Sequence, residues 1–263
     1  MSDARNLIDY LCLGAHHMDW RVRLRGPLIR GESNPGSTQI RPGGVAHNVW
    51  RGLTAAGCQA RLVSLPQPED RLYMAVEQVD GSLAHGIACL DAYENLNADF
   101  LGRHSAQVAE SKVLVVDGNC AQDLFEALPR HTCLALVAVS PGKMARLATG
   151  LSKAHWLFCN RAELAELHRL KADLPKDLMP EDLTIVETLG AEGLHLYSGG
   201  QVHRFDAPDL PFGVPDETGL GDILAASILA QIHKRDPVGA VATGLRNFPH
   251  LLTQVQPDLT AQP

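Results

Sequence analysis

The stretch "PDETGLGDILAASILAQI", residues 215–232, sets Gly219 and Gly221 on either side of Leu220 and follows them with Asp222, where an apolar helix begins. Two glycines there open backbone angles closed to other residues and let the N–H groups come close to a ligand. The first amides of a helix have no partners within it. Together with the positive end of the helix dipole they form a site for a phosphate or another anion. Asp222 then has two readings. In the first helical turn a carboxylate complements the dipole and does nothing more; beside an anion site it can accept the proton of a hydroxyl that attacks phosphorus.

Three further stretches bear on that choice. "RPGGVAHNVWRGLTAAG", residues 41–57, pairs Gly43 and Gly44 ahead of a helix that carries Asn48 one turn in and ends at Gly57. "FCNRAEL" sets Asn160 and Glu163 three apart at a strand-to-helix junction. That spacing lets both face one pocket and hold a hydrated Mg2+, and it equally suits Asn160 as a helix cap. "TLGAEG", residues 188–193, is another glycine-marked turn after a strand. His16 and His17 have no carboxylate or cysteine at ligand spacing beyond Asp19, so they read as pocket or loop histidines rather than metal ligands. Trp20 is either a stacking surface for a base or packing.

The elements that must position these groups follow from hydropathy. Short apolar, β-branched runs at residues 7–14, 60–65, 112–118, 133–139, 155–160 and 183–190 alternate with helical segments at 45–56, 98–110, 161–170 and 220–233. Buried strands alternating with amphipathic helices predict an α/β fold, a mostly parallel sheet covered on both faces, with ligands beyond the carboxyl ends of its strands. Residues 18–41 and 72–93 break the rhythm with alternating apolar and polar positions around Gly and Asp turns. They predict antiparallel ribbons that together make a small sheet lying over the main domain as a lid. Val22, Leu24 and Ile40 on that sheet offer an apolar face through which two copies would pair as a homodimer.

One domain over residues 1–263 accommodates all of this. A formal charge of −7 argues against a nucleic-acid partner, which needs clustered Lys and Arg, and no apolar run is long enough to span a membrane. The six cysteines lack any CxxC pair and mostly sit in apolar runs, so they read as reduced core residues of a cytoplasmic protein without an export signal.

In this order the stretches resemble the ribokinase-like, pfkB-type family of sugar and nucleoside kinases. "GGVAHN" looks like the first family signature, "NRAE" like NxxE, "TLGAEG" like TxGxxG, "DETGLGD" like the second signature, and "LGAHHMD" like GxxxxD. Within the family, "SNPGSTQIRPGGVAHN" is most similar to the pseudouridine kinase subgroup. The resemblance implies ATP-dependent phosphorylation of the 5′-hydroxyl of a nucleoside, with Asp222 as base and Gly219, Leu220 and Gly221 around the transferring phosphoryl group. It implies Asp19, Gly43, Gly44 and Asn48 on the sugar, and Asn160, Lys143, Thr188, Gly190 and Gly193 on ATP. It implies Glu163 and Asn160 on water-coordinated Mg2+, with Asp216 and Thr218 at positions that bind a monovalent cation such as K+ in some relatives. The chain departs from the family pattern at Glu217 and Leu220, in the short segment between Leu65 and Arg71, at the end of "CLALVAV", which lacks an aspartate, and in a brief region after Asp236. A kinase for another nucleoside, ribose or a ketose, and a catalytically weakened nucleoside-binding protein, stay open as alternatives.

Overall fold

The computed structural model describes residues 9–171, 182–210 and 219–255. The chain begins with β1 (Tyr10–Leu13), crosses to a hairpin of β2 (His17–Leu24) and β3 (Gly36–Gly43), and returns through α1 (Val45–Ala55) to β4 (Ala60–Val63). A turn at Pro68–Asp70 leads to a second hairpin, β5 (Leu72–Glu77) and β6 (Leu83–Cys89). Next come α2 (Ala98–Arg103), α3 (Ser105–Glu110), β7 (Val113–Asp117), α4 (Gln122–Ala127), β8 (Leu134–Val137) and α5 (Met144–Ala148). β9 (Trp156–Asn160), α6 (Arg161–Lys171), β10 (Thr184–Thr188), β11 (Leu194–Ser198), β12 (Gln201–Phe205), α7 (Leu220–Leu229) and α8 (Pro237–Val255) complete it.

Eight strands form the main sheet in the order β12-β11-β10-β9-β8-β7-β1-β4. The six from β4 to β10 pair in parallel, as continuous apolar runs such as Val113–Asp117, buried at every position, require. Apolar side chains cover both faces. Leu11, Leu13, Leu114 and Leu136 point to the cluster that includes Phe125, Leu147 and Leu167. Cys12, Val115 and Val137 point to the cluster that includes Val49, Leu53, Ala226 and Leu245.

The two hairpins join as a separate four-stranded sheet, β3-β2-β5-β6, with a parallel β2–β5 pair at its centre. This is the expected lid. Along β2, His17 and Asp19 share one face while Met18 and Trp20 share the other. Trp20 is 38% exposed on that outer face, which removes it as a stacking partner inside the pocket; Leu24 is 5% exposed and so does not belong to the open apolar surface expected of it.

Two further expectations are corrected and two unanticipated elements are added. The helix over 98–110 is broken at His104 into α2 and α3. Residues 194–205 form an antiparallel hairpin at the sheet edge, turning at Gly199 and Gly200, both with positive φ. The region after Asp236 is taken up by α8, a helix of 19 residues with Pro249 inside it. Of the cysteines, Cys12, Cys120 and Cys159 are buried, but Cys89 is exposed on the lid. Among the described residues no helix is long and apolar enough to cross a membrane.

Candidate active site

The carboxyl ends of β8, β9 and β10, the first turns of α1 and α7, and the inner face of the lid enclose a cavity of about 590 Å³. α7 begins at Gly219, whose φ of +81° is open to glycine and strained for other residues, and whose missing side chain leaves room for Asn48. Gly221 faces open space. Asp222 is therefore the third helical residue, with bare helix amides beside it and the cavity in front.

Asp222 is half-buried and lines the cavity. Its pKa is raised to about 7, chiefly by burial, against the pull of an Asn48 hydrogen bond and with the charges of Asp117, Glu163 and Asp19 pushing the same way as burial. Asn48 Nδ2 donates to Asp222 Oδ2 at 2.9 Å. Asn48, expected on the sugar, thus also holds the acid.

On the opposite side stands Asp19. A side-chain carbon on Gly43 would lie 2.1 Å from Asp19 Oδ2, so glycine at 43 makes the carboxylate's place. Gly44 has φ +101°, and a Cβ there would meet the Ala15 carbonyl at 2.5 Å. The glycine pair therefore lets α1 start against the β1–β2 turn.

The nucleotide-side residues divide. Lys143 lines the cavity and its Nζ donates to Asn119 Oδ1. Burial pushes the ammonium pKa down, offset in part by Asp117. Asn160 and Glu163 also line the cavity and cap α6 reciprocally: the Asn160 amide donates to Glu163 Oε2 at 2.8 Å, and the Glu163 amide donates to Asn160 Oδ1 at 2.9 Å. Burial raises the Glu163 pKa, the Asn160 bond opposing it. Thr188 lines the cavity, whereas Gly43, Gly190, Gly193 and Leu220 are not among its lining residues. Gly193 serves packing, since a Cβ there would sit 2.0 Å from the Phe205 carbonyl oxygen on β12. Asp216 and Thr218 lie outside the described residues.

Asp117 lies in the apolar run 112–118 and was assigned no role. It is fully buried at the end of β7 and accepts three backbone N–H groups, from Ala15 (2.7 Å), Ala46 (2.9 Å) and Asn119 (2.8 Å). Burial pushes its pKa up, with those bonds pulling back. The lid also adds Tyr73, Ala88 and Leu90 to the cavity wall.

The profile of the pfkB family carbohydrate kinases matches residues 89–244. The chain belongs to this family. It is similar to a pseudouridine kinase of Escherichia coli K12, at 21% identity across 84% of this chain and 82% of the relative. Its structure is similar to a carbohydrate kinase from Agrobacterium tumefaciens, at 26% identity, TM-score 0.71, covering 94% of this chain and 90% of that one. It is also similar to a ribokinase from Cryptococcus neoformans solved with ADP, at 19% identity and TM-score 0.68, covering 95% and 99%. The fold is thus ribokinase-like, and this pfkB-family member is a phosphotransferase with an alcohol acceptor, acting on a small molecule with ATP.

Proposed function

We propose that this pfkB kinase phosphorylates the 5′-hydroxyl of a nucleoside, with pseudouridine as the leading acceptor. One observation carries the chemistry: an acid with a pKa near 7 stands at a glycine-flanked helix start, in the same cavity as a second carboxylate fit to hold sugar hydroxyls. The similarity to a pseudouridine kinase and the SNPG lead-in, residues 33–36, favour that acceptor over other sugars.

In this reading ATP lies across the carboxyl ends of β8 to β10, with its phosphates at the amides of Gly219, Leu220 and Gly221. Asp222 takes the hydroxyl proton as that oxygen attacks the γ-phosphate in line; positioning and charge stabilisation supply most of the acceleration. Lys143 offsets charge on the transferred group, and Asn160 and Thr188 border the nucleotide. Among the described residues, three acids, Asp19, Glu163 and Asp222, line this cavity with the ammonium group of Lys143, so a polyphosphate enters with a counter-ion. Glu163 suits Mg2+ held through water: it presents hard oxygens, and its cap bond uses only Oε2. When bound, the ion would neutralise charge developing on the phosphates. The assignment of Gly190 and Gly193 to ATP reduces, on this geometry, to shaping the turn after β10.

ADP release measured against a panel of nucleosides, ribose and ketoses tests the proposal. Pseudouridine is expected to give the highest kcat/KM; a ketose or ribose in that place would reassign the acceptor. A melting shift with pseudouridine but turnover of nothing would make the chain a binding protein.

We also propose that the lid pairs two copies. Ile40, Trp20, Met74 and Ile87 stand opposite one another across all four strands, and Ile40, Trp20 and Ile87 are 48%, 38% and 51% exposed. A contiguous exposed apolar row of this kind suits an isologous contact between two copies. Light scattering should report a dimer that Trp20→Glu converts to monomer; a monomeric wild-type chain at high concentration would refute it.

A further inference from the structure

The orientation of Asp19 is set by two residues that the kinase reading leaves without a task. We propose that His17 and Tyr93 are positioning residues that lock the Asp19 carboxylate toward the acceptor's hydroxyls, a role that rests on the kinase reading and deepens its acceptor side.

His17 and Asp19 alternate with Met18 on β2 and so face the cavity together, while Tyr93 comes from the Asp91–Asn95 turn that leads out of the lid. His17 Nε2 lies 3.1 Å from Asp19 Oδ1, and His17 Nδ1 lies 2.8 Å from the Tyr93 hydroxyl. An ionised carboxylate only accepts, so Nε2 carries the hydrogen. In that tautomer an uncharged ring presents a lone pair at Nδ1, to which the Tyr93 hydroxyl donates. The phenol is suited to stay a donor. Burial, and after it the Asp117 charge, raises its pKa, although the nearby Arg71 charge pulls it down.

Arg71 fixes Tyr93 in turn. Its guanidinium sits 5.6 Å from the ring centre and donates to the carbonyls of His16, Leu65 and Pro66, which belong to two of the crossings between main sheet and lid. The line from Arg71 through Tyr93 and His17 to Asp19 therefore begins at the lid's base and ends in the cavity.

Two features make the role positional. Both ring nitrogens of His17 are occupied, which leaves none for a ligand even though the ring lines the cavity. Asp19 is held from both sides as well, with Oδ1 on His17 and Oδ2 in the space that Gly43 leaves by having no side chain. A carboxylate fixed in this way needs no reordering when a diol arrives, which lowers the cost of binding rather than the barrier to transfer.

The experiment has three arms. Long-range 1H–15N NMR of the wild-type chain at pH 8 should show His17 as the Nε2–H tautomer; the Nδ1–H tautomer overturns the proposal with no variant made. Steady-state kinetics with pseudouridine, or the panel's best acceptor in its place, should show Tyr93→Phe raising the acceptor KM about 5-fold, the scale of one hydrogen bond. The ATP KM and kcat should stay within about 2-fold, on the same scale. His17→Leu should cost more, and His17→Gln, which keeps a donor for Asp19, should recover most of the loss; equal losses in the two would indicate packing alone and overturn the proposal. Turnover with an unmoved acceptor KM in Tyr93→Phe overturns the positioning role and leaves the kinase reading standing. Absence of turnover with every acceptor overturns both.

Discussion

Asp222→Asn is expected to lose about 10²-fold or more in kcat, the scale on which a general base contributes, while the KM for ATP changes little. The amide keeps the shape and the partner at Asn48 but cannot take a proton. Wild-type kcat/KM should also depend on pH through this group. With a pKa raised to about 7, Asp222 is protonated and inactive as a base below that value, so activity rises as pH passes through about 7 and levels off above. Removing the Asn48 hydrogen bond, which favours the ionised form, moves the limb upward, so Asn48→Leu should need a more alkaline solution for the same fraction of its own maximum. Stability runs the other way. A carboxylate whose folded pKa lies above its unfolded one costs stability progressively as pH rises from about 4 to 7 and fully above that window. Asp222→Asn should therefore melt higher than wild type at pH 8, by about 2 kcal/mol once the water reaching the cavity is allowed for, and the gap should close toward pH 4. Turnover unchanged in the variant would remove Asp222 from the chemistry.

The pattern of what was legible has a physical basis. Five of the parallel strands announce themselves because burial on both faces demands unbroken apolar runs, while β4, at the edge, is buried only at Val63; the turns that matter are marked by glycines at Gly44 and Gly219, whose positive φ few residues tolerate. α8 was not among the expected helices, and it carries Gly244 and Pro249, residues of poor helix propensity, inside it. In the fold Gly244 lets α8 lie against Ile228 of α7, where a Cβ would meet side chain and backbone at 2.7 to 2.9 Å, and packing outweighs propensity. The edge hairpin did carry a signal, a Gly-Gly pair between two alternating runs, of the kind tight hairpin turns require. Side-chain partnerships were the least legible. Asn48 meets Asp222 across 174 residues, and Tyr93 meets His17 across 76, distances over which spacing carries no information. The capping box of Asn160 and Glu163 was legible as a cap because its partners are three residues apart.

Asp117→Ala is expected to be the most destabilising substitution near the site. The side chain accepts the amides of Ala15, Ala46 and Asn119, three donors on three segments, in a place without access to solvent. The Ala46 amide belongs to the first turn of α1, whose N-cap Gly44 has no side chain, so a carboxylate from β7 caps that helix from outside and faces the positive end of its dipole. An unmet buried donor costs about 1 to 3 kcal/mol; allowing for partial collapse, the loss of all three comes to about 3 to 5 kcal/mol. For a chain of this length that is about 10 °C in Tm. Asp117→Asn should fall between. Its one oxygen can serve Ala15 and Ala46, but its amide group then opposes the Asn119 N–H, so about one donor's cost remains. Activity should fall below what melting explains, because the same acid fixes the turn before Asp19, the helix carrying Asn48, and the Asn119 that receives Lys143. Thermal melts paired with kcat/KM measured at least about 15 °C below each variant's own Tm, a margin wider than the expected shift, separate the two effects. A melting point for Asp117→Ala within about 2 °C of wild type would show that other acceptors or water satisfy these amides, and that the three walls of the cavity are held by something other than this carboxylate.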